Sequence, residues 1–212
     1  MDTKKYSEET LAALRNDVKK RMSEKRYNHT LEVEKMAHRI AELYAPDRVG
    51  LVRAAALLHD ITKELSVEQH IDICNAHGIE VTEADCRASK MFHAKTAAAI
   101  IPDEYPELAD GALVSAVRWH TTGKANMSVE EKIIYLSDYI DMSRKFADCV
   151  KLRELFWSAP IAEMDAKSRM EHLNEVLIVS YDITIASLIE DEKIIDINTI
   201  QARNYLICEK LS

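Results

Sequence analysis

Glycine and proline are scarce in this chain, and their scarcity limits the folds that are open to it. Each occurs only four times among 212 residues, against average shares of roughly 7% and 5%. β-Sheets need tight turns, and those turns draw heavily on glycine and proline. All eight residues are expected at breaks in a helical pattern. The sequence therefore predicts an all-α fold.

Apolar residues recur with helical spacing along almost the whole chain. The spacing predicts helices over 7–22, 25–44, 47–60, 66–78, 93–101, 108–120, 128–140, 160–190 and 198–209, with short helices inside 79–92 and 142–158. Ser66 with Gln69, and Ser128 with Glu131, are capping-box signatures at two of these starts. No repeat or linker interrupts the pattern. We therefore expect one all-helical domain over 1–212, in which C-terminal helices from about 160–212 pack on a core of about 23–145.

Charge and cysteine content exclude several classes of function. A formal charge of −8 argues against binding to polynucleotides or to anionic membranes, which attract basic surfaces. A small nucleotide stays compatible, because a metal ion and a few local cations suffice to hold its phosphates. The four cysteines form no C-x-x-C pair, which favours reduced thiols and a cytoplasmic location.

Neither the N-terminus nor the most apolar segment suggests a membrane location. Residues 1–6 contain no apolar signal region. The segment 173–189 is interrupted by Asn174, Glu175 and Asp182, which argues against a membrane span. A homodimer is one oligomeric state that the sequence leaves open.

The segment from Ala54 to Lys63 joins a run of small residues, which suits close helix packing, to a His-Asp pair, which suits metal binding. Its three alanines allow a helix to approach its neighbours closely, and the apolar pattern ends abruptly at His59-Asp60. Imidazole nitrogen and carboxylate oxygen are both good ligands for a divalent metal ion. An isolated His-Asp pair also occurs by chance on protein surfaces. The other histidines and Asp138 therefore decide how the pair is interpreted.

Helical spacing separates inward histidines from outward ones. His29 and His38 are nine residues apart, so they point to opposite faces of one helix, and His29 is expected to face inward. His70, Cys74 and His77 have zinc-like spacing, but the outer two are ~10 Å apart along a helix. An exposed histidine face is the better interpretation of that set. His172 falls on the polar side of its helix.

Three further residues sit in settings that suit a metal or an anion. His93 precedes an Ala-rich helix, and Asp138 lies within an apolar helical pattern, where a buried carboxylate is costly unless it is paired or bound to metal. A salt bridge to a neighbouring helix would also satisfy Asp138. His120 is followed by Thr-Thr-Gly, a turn that is expected to leave backbone N–H groups free for an anion.

Four segments, taken in order, resemble a known family. They are Arg26-Tyr27-Asn28-His29, His59-Asp60-Ile61-Thr62-Lys63, His120-Thr121-Thr122-Gly123 and Tyr135-Leu136-Ser137-Asp138. The ordered ligand set is the H…HD…D pattern of the HD-domain superfamily of metal-dependent phosphohydrolases. The segments themselves are similar to the YqeK-type HD proteins, which are symmetrical bis(5′-nucleosyl)-tetraphosphatases. Residues 199–205 also resemble that family's C-terminal signature.

Two departures from the family pattern lie next to Asp138. The family usually has a Glu-Pro stretch before its arginine, where this chain reads Asp141-Met142-Ser143-Arg144. Ser137 stands where alanine is common. Neither departure falls on a proposed metal ligand.

The resemblance implies an HD-domain helical bundle with a dinuclear metal centre, usually iron, with manganese or another divalent ion as alternatives. It assigns His29, His59, Asp60 and Asp138 to one ion, and His93 and His120 to the second, with Asp60 bridging. Four imidazoles and two carboxylates are suitable ligands for such ions. The metal-binding core would then span about 23–145.

The implied reaction is the hydrolysis of diadenosine tetraphosphate into two molecules of ADP. Two metal ions activate a water in such sites, with Asp60 and Lys63 as the catalytic residues. Lys63 is expected one helical turn after the His-Asp pair, although a surface lysine is the commoner fate. Phosphate contacts are expected from the following residues: Arg26, Lys63, Thr121, Thr122, Gly123 and Arg144. Two alternatives stay open: another HD-superfamily nucleotidase or phosphodiesterase, and a non-catalytic sensor of dinucleotides.

Overall fold

The computed structural model describes residues 5–211, and residues 1–4 and Ser212 lie outside it. Within this range the chain forms helices and turns and no strand, which confirms the predicted all-α fold. The α-helices are α1 (Glu8–Val18), α2 (Glu24–Tyr44), α3 (Val49–Leu58), α4 (Val67–Ala76), α5 (Glu83–Arg87), α6 (Phe92–Glu104), α7 (Gly111–Trp119), α8 (Val129–Ile140), α9 (Ala147–Trp157), α10 (Ala166–Glu190) and α11 (Ile197–Leu211). Three 3₁₀ turns, Pro46–Arg48, Ser89–Met91 and Ile161–Glu163, connect some of them.

Helix α3 is the centre of the bundle. Every side chain from Leu51 to Leu58 is buried, and the helix contacts α1, α2, α7 and α8. Alanines at 54–56 let those neighbours approach closely, because a small side chain keeps the two backbones near each other. His59 caps the C-terminal end of α3. The His-Asp pair therefore lies where several helices meet.

Local sequence signals set the helix boundaries. The hydroxyl of Ser23 accepts a hydrogen bond from the backbone N–H of Arg26 at the start of α2. The predicted capping boxes are both present, at Ser66–Gln69 and Ser128–Glu131. Each cap satisfies backbone N–H groups that a helix start otherwise leaves unpaired.

The C-terminal helices form a second layer on this bundle. Helix α10 packs on α2, α8, α9 and α11, with Leu173, Val176, Leu177 and Tyr181 buried. By length and hydropathy alone α10 also meets a membrane-span criterion, which core helices of soluble proteins meet as well. The single domain predicted over 1–212 stays a prediction. Residues 1–4, which are four of the six residues of the N-terminal segment 1–6, and residue 212 lie outside the described residues.

Three glycine and proline positions differ from expectation. Gly50 lies inside α3, where an added Cβ would come within 2.7 Å of the Tyr6 Cβ, so the helix needs a residue without a side chain there. Pro102 lies inside α6, which continues because the Tyr105 N–H still bonds to the Ile101 carbonyl. Pro160 precedes a 3₁₀ turn, and Asp165 caps the long helix instead.

Candidate metal centre

Six residues from five parts of the bundle converge on one buried cluster. His29 lies in the second turn of α2, and Asp138 lies in the last turn of α8. The remaining four follow or begin helices: His59 and Asp60 after α3, His93 at the start of α6, and His120 after α7. These are the six residues that the sequence nominated as metal ligands.

Three of the imidazoles are oriented by the same kind of hydrogen bond to a nearby backbone carbonyl. The Nδ1 of His59 lies 2.6 Å from the carbonyl of Ala56, that of His93 lies 2.8 Å from Lys90, and that of His120 lies 2.6 Å from Val117. Each acceptor is the carbonyl three residues earlier in the chain. A carbonyl accepts only from N–H, so each ring carries its proton on Nδ1 and presents the Nε2 lone pair to the cluster.

The Asp60 carboxylate lies between two pairs of histidines. Its Oδ2 is 3.4 Å from His59 Nε2 and 3.9 Å from His29 Nε2. Its Oδ1 is 3.2 Å from His93 Nε2 and 3.9 Å from His120 Nε2. The two oxygens of one carboxylate therefore face different histidine pairs, which is the arrangement that a bridging ligand requires.

The donor set fits divalent cations. His59 Nε2 is fully buried and has no hydrogen-bond partner among residues 5–211. Burial of an unpaired nitrogen lone pair is costly unless the nitrogen binds a cation. The Nε2 atoms of His93 and His120 face each other at 2.9 Å. Two triplets, His29–His59–Asp138 and His59–Asp60–His120, have ligand atoms that lie within 4.8 Å of one another.

The ionisation states of His93, His120 and Asp60 suit metal binding. Burial holds the pKa of His93 well below its usual value and lowers that of His120 to about 4, so both rings are neutral at pH 7. The pKa of Asp60 lies well below its usual range, because the neighbouring histidines outweigh the effect of burial. Neutral imidazole and ionised carboxylate are the forms that bind metal.

His29 is held by a second carboxylate, which the sequence analysis missed. Its Nε2 lies 3.0 Å from Asp138 Oδ1, and its Nδ1 lies 3.4 Å from Asp141 Oδ2 and 3.0 Å from the Ser143 hydroxyl. Burial lowers the pKa of His29, but the two carboxylates overcome it and raise the pKa to about 9. Asp141 follows the end of α8, where the helix dipole disfavours an acidic residue. That conflict was the available signal that it has a partner.

Three cations surround the cluster. Arg26 donates to Asp60 Oδ2 at 2.8 Å, and Arg144 donates to Asp138 Oδ1 at 2.6 Å. The Lys63 ammonium lies 3.1 Å from both ring nitrogens of His93. Burial lowers the pKa of Lys63. Lys63 was expected on a helix with the pair, but α3 ends at Leu58, so a turn places it beside His93 instead.

In the Thr-Thr-Gly turn, Thr121 faces the cluster, whereas Thr122 and Gly123 form hydrogen bonds within the turn. The Thr121 hydroxyl lies 3.2 Å from His120 Nε2. The hydroxyl of Thr122 is buried and donates to the carbonyl of Gly123. The Gly123 N–H donates to the Trp119 carbonyl at 2.9 Å. The expectation of a free N–H at Gly123 is wrong, since that group closes the last turn after α7.

The exposed face expected for His70, Cys74 and His77 is wrong for His70 and Cys74, which are buried, and is confirmed for His77, which is exposed. Behind His93, His70 belongs to a chain of polar contacts. His70 is buried and stacks on Phe92 with ring centroids 5.6 Å apart. Its Nδ1 bonds to the Thr96 hydroxyl, which donates to Thr62, which donates to the His93 carbonyl. These bonds hold the backbone that carries a cluster histidine. The sequence analysis missed Thr62 and Thr96 because their partners are distant in sequence.

The other histidines lie away from the cluster. His38 is at the surface with 40% of its side chain exposed, as expected. His77 pairs with Asp103 at 3.0 Å. His172 is partly buried, where a polar face was expected, because its ring stacks on Phe156.

Comparison with known proteins agrees with this geometry. Residues 26–143, more than half of the chain, match the HD domain family. The chain belongs to the HD-domain family. This family of hydrolases uses a divalent metal centre, and the cluster contains His and Asp groups that could hold one.

Relatives cover nearly the whole chain. A Halalkalibacterium halodurans protein is 30% identical over 91% of this chain and 95% of its own, and a Bacillus subtilis protein is 30% identical over 94% and 97%. Both are named symmetrical bis(5′-nucleosyl)-tetraphosphatase. A solved structure from Clostridium acetobutylicum, described as a predicted HD superfamily hydrolase involved in NAD metabolism, is 34% identical, covers 93% of this chain and 97% of its own, and has a TM-score of 0.79.

Proposed function

We propose that this chain hydrolyses dinucleoside tetraphosphates, with diadenosine tetraphosphate as the first substrate to test, symmetrically into two nucleoside diphosphates. The observation that carries the proposal is the Asp60 carboxylate, whose two oxygens face separate histidine pairs. The names of the two relatives that align over more than nine-tenths of the chain support the choice of substrate.

The proposed ligand assignment follows the cluster. His29, His59, Asp138 and Asp60 would hold one ion, and His93, His120 and Asp60 would hold the second. Iron is the first metal to test and manganese the second, because imidazole and carboxylate suit both. Bound divalent ions in such a pair polarise a phosphoryl oxygen and lower the pKa of a water.

In the proposed reaction, water adds to one of the two inner phosphorus atoms. The phosphorus–oxygen bond at the centre of the tetraphosphate breaks, and the former bridging oxygen leaves on the other nucleoside diphosphate. The net addition of one water across one phosphoanhydride bond gives two ADP from diadenosine tetraphosphate. Attack at an outer phosphorus would give AMP and ATP instead.

The cations around the cluster are placed to hold the polyphosphate. Arg26 and Arg144 already contact the inner carboxylates, and each guanidinium carries five N–H groups, more than those contacts use. Lys63 lies beside His93 at the opposite end. We assign these three side chains to stabilising negative charge on the phosphates, and Thr121 to a hydroxyl contact there.

The proposal also covers the cellular location and the oligomeric state of the enzyme. We place the enzyme in the cytoplasm, where its four cysteine thiols would stay reduced and small nucleotides occur. A homodimer stays a prediction, and light scattering of the purified protein tests it.

The decisive experiment is product analysis. Metal-loaded protein is incubated with diadenosine tetraphosphate, and the products are resolved by chromatography. ADP as the single product supports the proposal, AMP plus ATP contradicts symmetric cleavage, and no product favours a sensor. The variant Lys63→Ala should retain its metal and lose roughly a hundredfold in turnover, whereas His38→Ala, at the surface, should match the wild type.

A further inference from the structure

Phe146 is an aromatic side chain that the fold does not explain. Its side chain is 73% exposed, whereas every other Phe, Tyr or Trp among residues 5–211 is buried or half-buried. It occupies the N-cap position of α9 and makes no side-chain capping bond there, although Ser, Thr, Asp and Asn are the residues that stabilise that position. Its place therefore needs another reason.

The loop that carries Phe146 is held rigidly. Arg153 donates from α9 to the carbonyls of Ile140 and Arg144, at 2.7 and 2.8 Å. Arg144 donates in turn to the carbonyl of Asp138 at 2.9 Å. A ring presented by a braced loop loses little conformational freedom when a ligand covers it. The hydrogen bonds of Arg153 and Arg144 thus brace the backbone that presents the exposed ring.

Phe146 lines a pocket that opens from the metal cluster. The pocket has a volume of about 830 Å³, and His29, Arg26, Arg144 and Asn28 are among its other lining residues. That volume lies in the range of small-molecule sites. The Phe146 ring, two guanidinium groups and a cluster histidine therefore line one cavity. The same guanidinium groups contact the cluster carboxylates of Asp60 and Asp138.

We infer that Phe146 stacks on a nucleobase of the bound dinucleotide while Arg26 and Arg144 hold the phosphates that lead from that nucleoside to the metal centre. The inference rests on the proposed function and adds the residue that recognises the base. A purine has a flat π-face that stacks on aromatic rings, and a polyphosphate attached to it requires cations close by. The pocket supplies both.

Binding of two product-like ligands tests the inference directly. Affinities of the metal-loaded protein for ADP and for inorganic pyrophosphate, which has no base, are measured by calorimetry. Phe146→Ala should weaken ADP binding by about tenfold and change pyrophosphate binding by less than twofold. Phe146→Trp should restore ADP binding, and the KM for diadenosine tetraphosphate should rise in Phe146→Ala by a factor similar to the loss of ADP affinity.

The matched control is Leu155→Ala, which removes another exposed apolar side chain from α9. It should leave ADP binding unchanged. Equal weakening of ADP and pyrophosphate by Phe146→Ala, or unchanged ADP binding, overturns the inference. Failure of the wild type to produce ADP from the dinucleotide would overturn the proposed function instead, and the ADP–pyrophosphate comparison keeps its meaning in that case.

Discussion

Asp60 has contacts unlike those of the other cluster residues. It meets two pairs of histidines through different oxygens and also accepts from Arg26. His93 and His120 each offer one Nε2, because the Nδ1 of each bonds to a backbone carbonyl. Loss of the carboxylate and loss of one imidazole should therefore have different consequences for metal content.

Metal stoichiometry separates these two roles. Asp60→Ala should lower the occupancy of both metal sites, since it removes a ligand and a balancing charge from each ion. His93→Ala should reduce the content from about two ions per chain to about one. Elemental analysis after purification without chelator measures this. Loss of both ions from His93→Ala, or retention of both by Asp60→Ala, would show that Asp60 is not the bridge.

At the scale of elements, helix ends decide where the chemistry lies. His59 and His120 both directly follow helices, and the turn after His120 is held against α10. Gly123 in that turn has φ +66°, and an added Cβ would come within 2.0 Å of the Tyr181 hydroxyl. Only a residue without a side chain permits this contact between the turn and α10.

Substitution at Gly123 should destabilise the protein more than the same change elsewhere. Gly123→Ala combines left-handed backbone strain with a steric clash and should cost about 3–4 kcal/mol of unfolding free energy. Gly78→Ala is the control, since Gly78 has φ +64° and no neighbour within 4 Å, and should cost about 1–2 kcal/mol. Urea unfolding measures both. If the two costs were equal, strain alone would account for Gly123.

Helices α4 and α6 are linked by an ion pair that depends on pH. Bonds to the Ile73 carbonyl and to Asp103 raise the pKa of His77. A raised pKa stabilises the folded state below the unfolded value of His and loses that effect as pH rises through the folded value. Asp103→Asn should therefore cost about 0.5 kcal/mol at pH 5.5 and nothing measurable at pH 8.5.

The reference for this effect is the His77→Gln background, in which Asp103→Asn should have the same effect at both pH values. Unfolding in urea at each pH gives the four free energies. An effect of Asp103→Asn that persists at pH 8.5 would show that the imidazolium is not its cause.

At the scale of the whole molecule, the cluster joins α2, α6, α7, α8 and the segment after α3. Ligands that are far apart in sequence come together only in the folded chain, so metal binds the folded state in preference to the unfolded one. The cluster is therefore expected to couple metal content to global stability.

Removal of metal should lower the melting temperature. At a hundredfold excess of metal over its dissociation constant, binding adds about 2.7 kcal/mol, which corresponds to roughly 5–10 °C for a chain of this size. Thermal denaturation with metal and after chelation measures the difference. His93→Ala should show a smaller difference, and an unchanged melting temperature in the wild type would contradict coupling through the cluster.

The sequence by itself determined the helical class and the capping boxes, because these depend on local spacing and on side-chain chemistry. Its resemblance to the HD-domain family nominated the six residues that meet in the cluster. Apolar periodicity places a helix wherever one face is to be buried, and His and Asp keep their ligand chemistry in any fold. His29 and His38 were separated correctly for the same reason, since one helix fixes their relative direction.

The tertiary structure decided which groups already have a hydrogen-bond or packing partner. His70 is buried against Phe92, and Asp141 contacts His29. Partners in these contacts are supplied by packing between elements, with the largest separation exceeding one hundred residues, so local spacing carries no record of them. The exposed ring of Phe146 belongs here too, because exposure is a property of the assembled surface.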